Sequence, residues 1–512
     1  HKETVGRPGL YATTRQFLDD LGLHSLNQLP ALDQAKPVAE MFESLAAAEP
    51  AKKPNILFIP IDDLNHWVGF LGRNLQTKTP NIDRLAKMGV GFSRAYCTAP
   101  SCNPSRASLM SGLRPSSTGC YDNSQNWRPG ISEDKLLNSH LAKNGYAVYG
   151  AGKIYHGAGD RGGYFDDYFP GKGSPMKLHP EARNDGVGGI KFAPLSGTDE
   201  DMPDHSVVSW CIEKMSQKHD KPWFIAAGLV KPHMPWNVPK KWFDLFPLDQ
   251  IQLPPHIEGD LADVPAAGVK IAKPTSDHAA MLKSGRWKEA VQAYLATIAY
   301  CDYEVGRLID AWEKSPEKEN TIICLWSDHG WSLGEKEHWR KFALWEEPTR
   351  TVFIWKAPGV TTPGGLCPRP VDYASIYPTV CALAGIPAPA HLEGADISPL
   401  LRDPKAEWKL PAVTTWLKGN HAVRSEDWRY IRYADGSEEL YQDSADPYEY
   451  VNLAGKPEMA AKKAELARFI PKTDASDLPR GKGGEGEDAD GASAPAKKGK
   501  GKGKGKGAKK SE

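Results

Sequence analysis

The sequence contains no apolar run approaching the ~20 residues needed to span a bilayer, so nothing in it reads as a transmembrane segment. It also lacks net charge, because 64 Lys and Arg balance 64 Asp and Glu. A nucleic-acid-binding chain carries a basic surplus, so composition gives no support for nucleic acid as a partner. Cysteine is sparse: eight in 512 residues, with no C-x-x-C pair. That excludes a disulfide framework and leaves one or two disulfides open. The chain starts with His1 rather than methionine. It therefore reads as a fragment or a processed form, in which a signal peptide need not be visible. Core material is plentiful, with 40% apolar residues, 16 Trp, 18 Tyr and 14 Phe. A chain of this length can bury one large core and a smaller one.

Four segments follow from texture. Residues 1–53 read as an N-terminal extension closed by a Pro/Lys linker. Residues 54–408 alternate apolar β-branched runs with helical periodicity, the pattern of an α/β layered domain. NILFIPIDD is a buried strand ending in two carboxylates, and TPNIDRLAKMG is a helix with Pro80 in its first turn and Gly89 as its stop. GVGFSRAYC and YAVYGAG are strands, and the stretch from His205 to Gln217 is a helix. PWFIAAG is a strand feeding the loop that carries His233. Residues 237–285, rich in Pro, Asp and Lys, read as an irregular insertion suited to substrate contacts. A long helix is expected at 286–315, then a strand ending in Asp328 and His329, a strand at 351–359 and a helix at 372–385. Residues 409–470 show short alternating runs with turn signals, a small antiparallel subdomain carrying one helix. Residues 471–512 end in Gly/Lys repeats and read as a disordered tail.

The chemistry starts from two pairs of residues. Asp62–Asp63 and Asp328–His329 each close a buried strand, and in a parallel sheet such ends line one crevice. Neighbouring side chains of a strand point to opposite faces, so Asp62 and Asp63 can serve one ion only where the backbone turns. Mostly oxygen donors suit a hard cation, Ca²⁺ or Mg²⁺, and a single imidazole suits zinc less. Cys102 and Arg106 stand four residues apart in a helix-compatible segment and can share a face.

The stretch CTAPSCNPSRASLMSG (97–112), with its C-x-P-S-R core at Cys102, resembles the signature of the type I, formylglycine-dependent sulfatases. The resemblance extends over residues 54 to about 454 through DDLNHW, GKIYH, KPHMPW, SDHGWSLGE and WRKF. Within the family this combination looks most like iduronate-2-sulfatase and its bacterial relatives. The resemblance implies an alkaline phosphatase-like sandwich, with a large mixed sheet between helices and a small C-terminal subdomain with an antiparallel sheet. It implies that Cys102 is converted to formylglycine by a formylglycine-generating or an anaerobic maturation enzyme. It also implies a Ca²⁺ held by Asp62, Asp63, Asp328 and His329 with the formylglycine oxygen. Arg106 would orient the nucleophile, Lys153 and Lys341 would bind sulfate, His156 would assist the nucleophile, and His233 would bind sulfate and protonate the leaving oxygen. The implied substrate is a sulfated carbohydrate, in particular a 2-O-sulfated uronic acid, and the implied location is periplasmic or secreted.

There are departures from the pattern. Ser111 stands where threonine is more usual, and Lys336 stands where histidine is often found. The DDLNHW loop differs from the human-type enzyme, so Asn65, His66 and Trp67 are expected to touch the sugar, together with Trp236 and His421. Three other readings stand beside this one. The first is a phosphomonoester, phosphodiester or phosphonate hydrolase of the same superfamily, and the second a non-catalytic glycan-binding protein. The third is a chromosome-associated protein, because residues 1–33 resemble the C-terminal end of the B subunit of the bacterial segregation and condensation complex.

Overall fold

The computed structural model describes residues 52–481, except 157–159, 175 and 184–185. The segment 1–33 and the Gly/Lys repeats therefore lie outside the described residues. An eight-stranded mixed sheet forms the centre. Its strands are β1 (Asn55–Ile61), β2 (Val90–Phe92), β3 (Ala147–Gly152), β4 (Asp167–Phe169), β5 (Trp223–Gly228), β6 (Thr321–Ser327), β7 (Phe353–Lys356) and β8 (Gly365–Cys367). Their order is β8-β2-β7-β6-β1-β5-β3-β4, and β7 alone runs against its neighbours.

Alternation along the strands builds two cores. Leu57, Ile59 and Ile61 face a helical layer made of α1 (Pro80–Met88), α4 (Pro203–Ser216) and α5 (Trp287–Lys314). Ile56 and Phe58 face the opposite layer, made of α2 (Cys102–Ser111), α3 (Leu137–Lys143) and α6 (Ile376–Ala384). The long helix matches its sequence pattern within a residue at each end. The expected strand at 89–97 is two pieces, Val90–Phe92 and Ala95–Tyr96. Between them Ser93 donates its N–H to the Cys367 carbonyl.

A second, four-stranded antiparallel sheet follows: β9 (Ala412–Thr415), β10 (His421–Arg424), β11 (Trp428–Arg432) and β12 (Glu438–Gln442). One face packs on α7 (Ala460–Ala467) through Val423, Tyr430, Leu440 and Leu466. The other packs Ala422, Ile431 and Tyr441 against Ala343, Leu344 and Trp345. Buried charge reinforces that second contact. Glu346 accepts hydrogen bonds from Arg424, Arg429 and Arg350, and Arg429 also pairs with Glu449. Burial opposes charge on Glu346, but Arg424 and Arg429 outweigh it and hold the carboxyl well below its usual range. Glu346, Asp443 and Glu449 come close enough to resemble a metal cluster, but each is paired with Arg424 or Arg429.

Two expectations are corrected. Residues 237–285 contain helical segments at Lys240–Phe243, Ala266–Ala272 and Asp277–Ser284. Pro239 and Pro265 directly precede two of these, so residues that looked like breakers serve as helix starts. The boundary drawn at 471 also moves, because residues 471–481 are held against the body. Asp474 meets His421 at 3.3 Å, Ala475 donates its N–H to the Ser116 carbonyl, and Leu478 packs on the core beside α2. All eight cysteines are buried and unpaired, and no helix among the described residues is long and apolar enough to cross a membrane. A chain ended at Ile470 is expected to lose about 1–3 kcal/mol of stability relative to one ended at Gly481, read as a lower urea midpoint.

Candidate active site

The site is assembled by register. β1 and β6 pair in parallel through Ile61↔Ser327, so the next residues, Asp62 and Asp328, emerge side by side. The Asp328 N–H donates to the Ile61 carbonyl at 3.2 Å. Asp63 then turns with φ 62°, a conformation aspartate tolerates better than most residues. That turn brings both carboxylates to one place, and the Asp63 N–H donates to Asp328 Oδ1 at 3.1 Å. Tyr294 of α5 clamps the turn, its hydroxyl donating to the Asp63 carbonyl at 2.7 Å and accepting from the Asn65 N–H at 3.0 Å.

Cys102 opens α2, and Arg106 follows one turn later on the same face. The Arg106 guanidinium is fully buried. Its Nε donates to Asp328 Oδ2 at 2.7 Å and Nη2 to Asp62 Oδ1 at 3.2 Å. Nη1 donates to the carbonyls of Lys153 and Ile154 at 2.6 and 3.1 Å. These bonds go to carboxylates and carbonyls, so Arg106 fixes the Asp62 and Asp328 carboxylates beside Cys102. Cys102 Sγ lies 3.3 Å from His329 Nε2 and 3.0 Å from Lys341 Nζ. Lys341 Nζ also donates to Asp63 Oδ1 at 3.1 Å, and Lys153 Nζ donates to Asp62 Oδ2 at 2.6 Å.

Lys153 reaches its position through a close approach of β3 and β5. Its N–H donates to the Gly228 carbonyl at 3.0 Å. A Cβ at Gly228 would stand 2.5 Å from the Lys153 carbonyl carbon. His156 lies three residues further on, half-buried. His233 is partly exposed, with Nε2 3.8 Å from Asp63 Oδ2. The predicted nucleophile, metal set, both lysines and His233 thus meet in one place.

The electrostatics suit a cation. Asp62, Cys102, Asp328 and His329 offer ligand atoms within 4.8 Å of one another, and Asp63, Cys102 and His233 form an overlapping group. Asp63 Oδ2 is buried without a hydrogen-bond partner. Burial, with Asp62 and Asp328 alongside, pushes the Asp63 carboxyl up to about 6 against the pull of Lys341. Burial also opposes charge on Asp62, but Lys153, His233 and Arg106 prevail and hold its carboxyl well below the usual range. Burial lowers His329, which leaves its imidazole neutral and able to donate a lone pair. An oxygen-rich set with one imidazole and one unsatisfied carboxylate oxygen fits a hard cation. Burial, with Asp62 adding to it, pushes the Cys102 thiol well above its usual range. An unmodified thiol here is therefore a weak nucleophile.

The sulfatase family model matches residues 54–386, and the model of the N-sulphoglucosamine sulphohydrolase C-terminal region matches residues 334–475. A sulfatase of Formosa agariphila is 39% identical over 448 residues, covering 83% of this chain and 87% of that one. The chain belongs to the sulfatase family. Mouse iduronate 2-sulfatase is 30% identical over 65% of this sulfatase and 69% of its own length. Among solved structures, a 2-O GAG sulfatase matches with a TM-score of 0.66 at 23% identity, covering 82% of this chain and 91% of that one. Phosphonate monoester hydrolase of Silicibacter pomeroyi matches with a TM-score of 0.68 at 20% identity, covering 81% and 94%. At those identities the likeness concerns the fold, the α/β sandwich with its C-terminal antiparallel subdomain. The family match begins at residue 54, and nothing in the comparisons supports the chromosome-segregation similarity of residues 1–33.

The expected sugar contacts are the part of the site this sulfatase does not bear out. Asn65 is buried, with its amide donating to the Trp331 carbonyl and its Oδ1 accepting from the Trp67 N–H. His66 is fully buried 3.2 Å from Glu347, and burial pushes its imidazole down to about 4. Trp67 and Trp236 both pack on Tyr294 inside the main core. His421 is buried between Thr415 and Asp474. Lys336, where a histidine was expected, is buried and pairs with Asp260 at 2.8 Å. Polar and aromatic residues beside a metal pair looked like ligands for a substrate, but the turn at Asp63 drives the following residues inward. Nothing in the sequence marks Tyr294, because it sits at an apolar position of the long helical pattern.

Two substitutions separate these roles. Asn65→Ala is expected to cost about 1–3 kcal/mol in a denaturant titration, since it leaves a buried N–H and carbonyl unpaired. Its KM should stay within the range of the unaltered protein. Gly228→Ala is expected to displace Lys153 and lower kcat/KM by at least about tenfold, measured as sulfate release.

Proposed function

We propose that this sulfatase hydrolyses a sulfate ester on a sugar, of the 2-O-sulfated uronic acid type or a related terminal residue. The nucleophile would be the oxygen of a formylglycine made from Cys102, beside a Ca²⁺. The observation that carries this reading is the convergence on Cys102 of Lys341, His329 and three buried aspartates. Support for a sugar comes from relatives named iduronate 2-sulfatase and delta 4,5-hexuronate-2-O-sulfatase, the latter 28% identical over 82% of this chain.

Sγ marks where the nucleophilic oxygen would stand. As the hydrated aldehyde, residue 102 supplies one hydroxyl oxygen to sulfur as the bond to the sugar oxygen breaks, and the second hydroxyl then expels sulfate and restores the aldehyde. Asp62, Asp63, Asp328 and His329 would hold the cation, which supplies positive charge to the sulfate oxygens. Lys341 and Lys153 add fixed positive charge from the other side. Arg106 keeps Asp62 and Asp328 aimed at the cation. His233, partly exposed on its loop, hands a proton to the departing sugar oxygen, and His156 steadies the nucleophile. Secretion to the periplasm or beyond would place the protein with such glycans, and maturation requires a formylglycine-generating or anaerobic maturation enzyme.

Peptide mass spectrometry of protein made with a maturation enzyme is expected to show the residue 102 peptide lighter than its cysteine form. The same sample should release sulfate from a 2-O-sulfated hexuronate. A fully active protein with unmodified Cys102 sinks the mechanism. Release from a different sulfated sugar only replaces the specificity. Removing the cation with a chelator is expected to abolish release, with Ca²⁺ restoring it better than Mg²⁺.

A further inference from the structure

Asp204 takes no part in the site described above, yet it is a buried carboxylate, 2% exposed, in the first turn of α4. Burying a carboxylate is costly unless its oxygens are used. Both are used on one loop. Oδ1 accepts the Val230 N–H at 2.9 Å, and Oδ2 accepts the Lys231 N–H at 2.8 Å. These two residues come directly after the last partner that β1 offers. The Leu229 N–H still donates to the Pro60 carbonyl, and the Leu229 carbonyl accepts from the Asp62 N–H. Asp204 takes over where the sheet stops. Burial pushes its carboxyl up to about 6, against the pull of the two N–H donors and the Lys231 ammonium.

From that anchor the loop is fixed in steps as far as His233. The His233 N–H donates to the Val230 carbonyl at 2.8 Å. Lys231 Nζ donates to the His233 carbonyl at 3.2 Å and to the Pro235 carbonyl. His233 Nδ1 lies 2.5 Å from the Met234 carbonyl. A carbonyl can only accept, so Nδ1 carries the ring proton. Nε2 is then the nitrogen that faces the site, 3.8 Å from Asp63 Oδ2. Both the orientation and the tautomer of this imidazole depend on backbone that Asp204 holds.

We propose that Asp204 is a positioning residue for His233. By binding the Val230 and Lys231 N–H groups it keeps the imidazole where Nε2 can reach the departing oxygen. The proposal rests on the reading of His233 as proton donor given above. A sugar alkoxide leaves poorly without a proton, whereas 4-nitrophenolate leaves without one. Loss of Asp204 therefore slows the first kind of ester and spares the second.

The test uses the full chain made with a maturation enzyme. Asp204→Asn keeps the size of the side chain but turns an amide N–H toward one of the two N–H donors. Its kcat is expected to fall at least about tenfold for a 2-O-sulfated hexuronate and to stay within about twofold for 4-nitrophenyl sulfate. Both rates are read on one sample, so a smaller folded fraction cancels from their ratio. Asp302→Asn is the matched control, because buried Asp302 likewise binds two successive N–H groups, those of Asn81 and Ile82 in α1. It is expected to lower the urea midpoint and leave the ratio unaltered. A second readout needs no turnover. In a nitrogen NMR spectrum of histidine-labelled protein, the His233 ring is identified by its absence from His233→Gln. Asp204→Asn is expected to shift the ring proton from Nδ1 toward Nε2, and Asp302→Asn is not. An unaltered His233 ring in Asp204→Asn overturns the proposal. So does equal slowing of both esters by Asp204→Asn where His233→Gln slows them unequally. If the ring changes but His233→Gln slows both esters alike, or the unsubstituted protein leaves the hexuronate sulfate intact, the reaction reading falls and the positioning of His233 stands.

Discussion

A single buried guanidinium holds this active site together. Arg106 joins the end of β1 through Asp62, the end of β6 through Asp328 and the end of β3 through two carbonyls. Such a group is costly to bury alone and tolerable only when every donor is used. Removing one partner of a buried pair costs about 3–5 kcal/mol, so three strand ends cannot drift apart independently. The acidic ligands are thus held at spacings that would otherwise repel.

The same logic works at the other end of the site. Lys341 must cross from its loop to reach Cys102, and that loop leads directly into Glu346. Arg424 and Arg429 of the C-terminal sheet fasten Glu346. The small subdomain therefore has a mechanical role: it anchors the segment that brings Lys341 to Cys102. Apolar contact through Trp345, Ile431 and Tyr441 provides the seal, and the buried charges fix the orientation.

How much of this could be read in the sequence depends on the range of the interaction. The alternation of β1 and β6, the 28-residue α5 and the turn-rich C-terminal strands are local patterns, and they appear where the pattern placed them. The convergence of Asp62, Asp63, Asp328 and His329 was legible because paired acids at the ends of apolar strands have few structural uses. The inward burial of Asn65, His66 and Trp67 was not legible, because it depends on one backbone angle at Asp63. Nor were the partners of Arg106, which lie 44 and 222 residues away. The helices within 237–285 were hidden by their prolines, which look alike whether they end a helix or begin one. The hold of residues 471–481 depends on one leucine, on Asp474 and on backbone hydrogen bonds to residues 116–126, and composition reveals none of these.

The in-register pairing of Ile61 with Ser327 has a consequence for how such a chain can change. The two halves of the metal set are joined by the sheet and not by the chain between them. Closing a loop costs only about 0.6 kcal/mol more for each doubling of its length. Loops of the intervening chain that lie away from Arg106, Lys153 and Tyr294 can therefore be lengthened or shortened with little effect on the spacing of these residues. The helical segments Ala266–Ala272 and Asp277–Ser284 belong to that stretch. In this architecture the outlying loops can be redrafted while the strand ends keep their register.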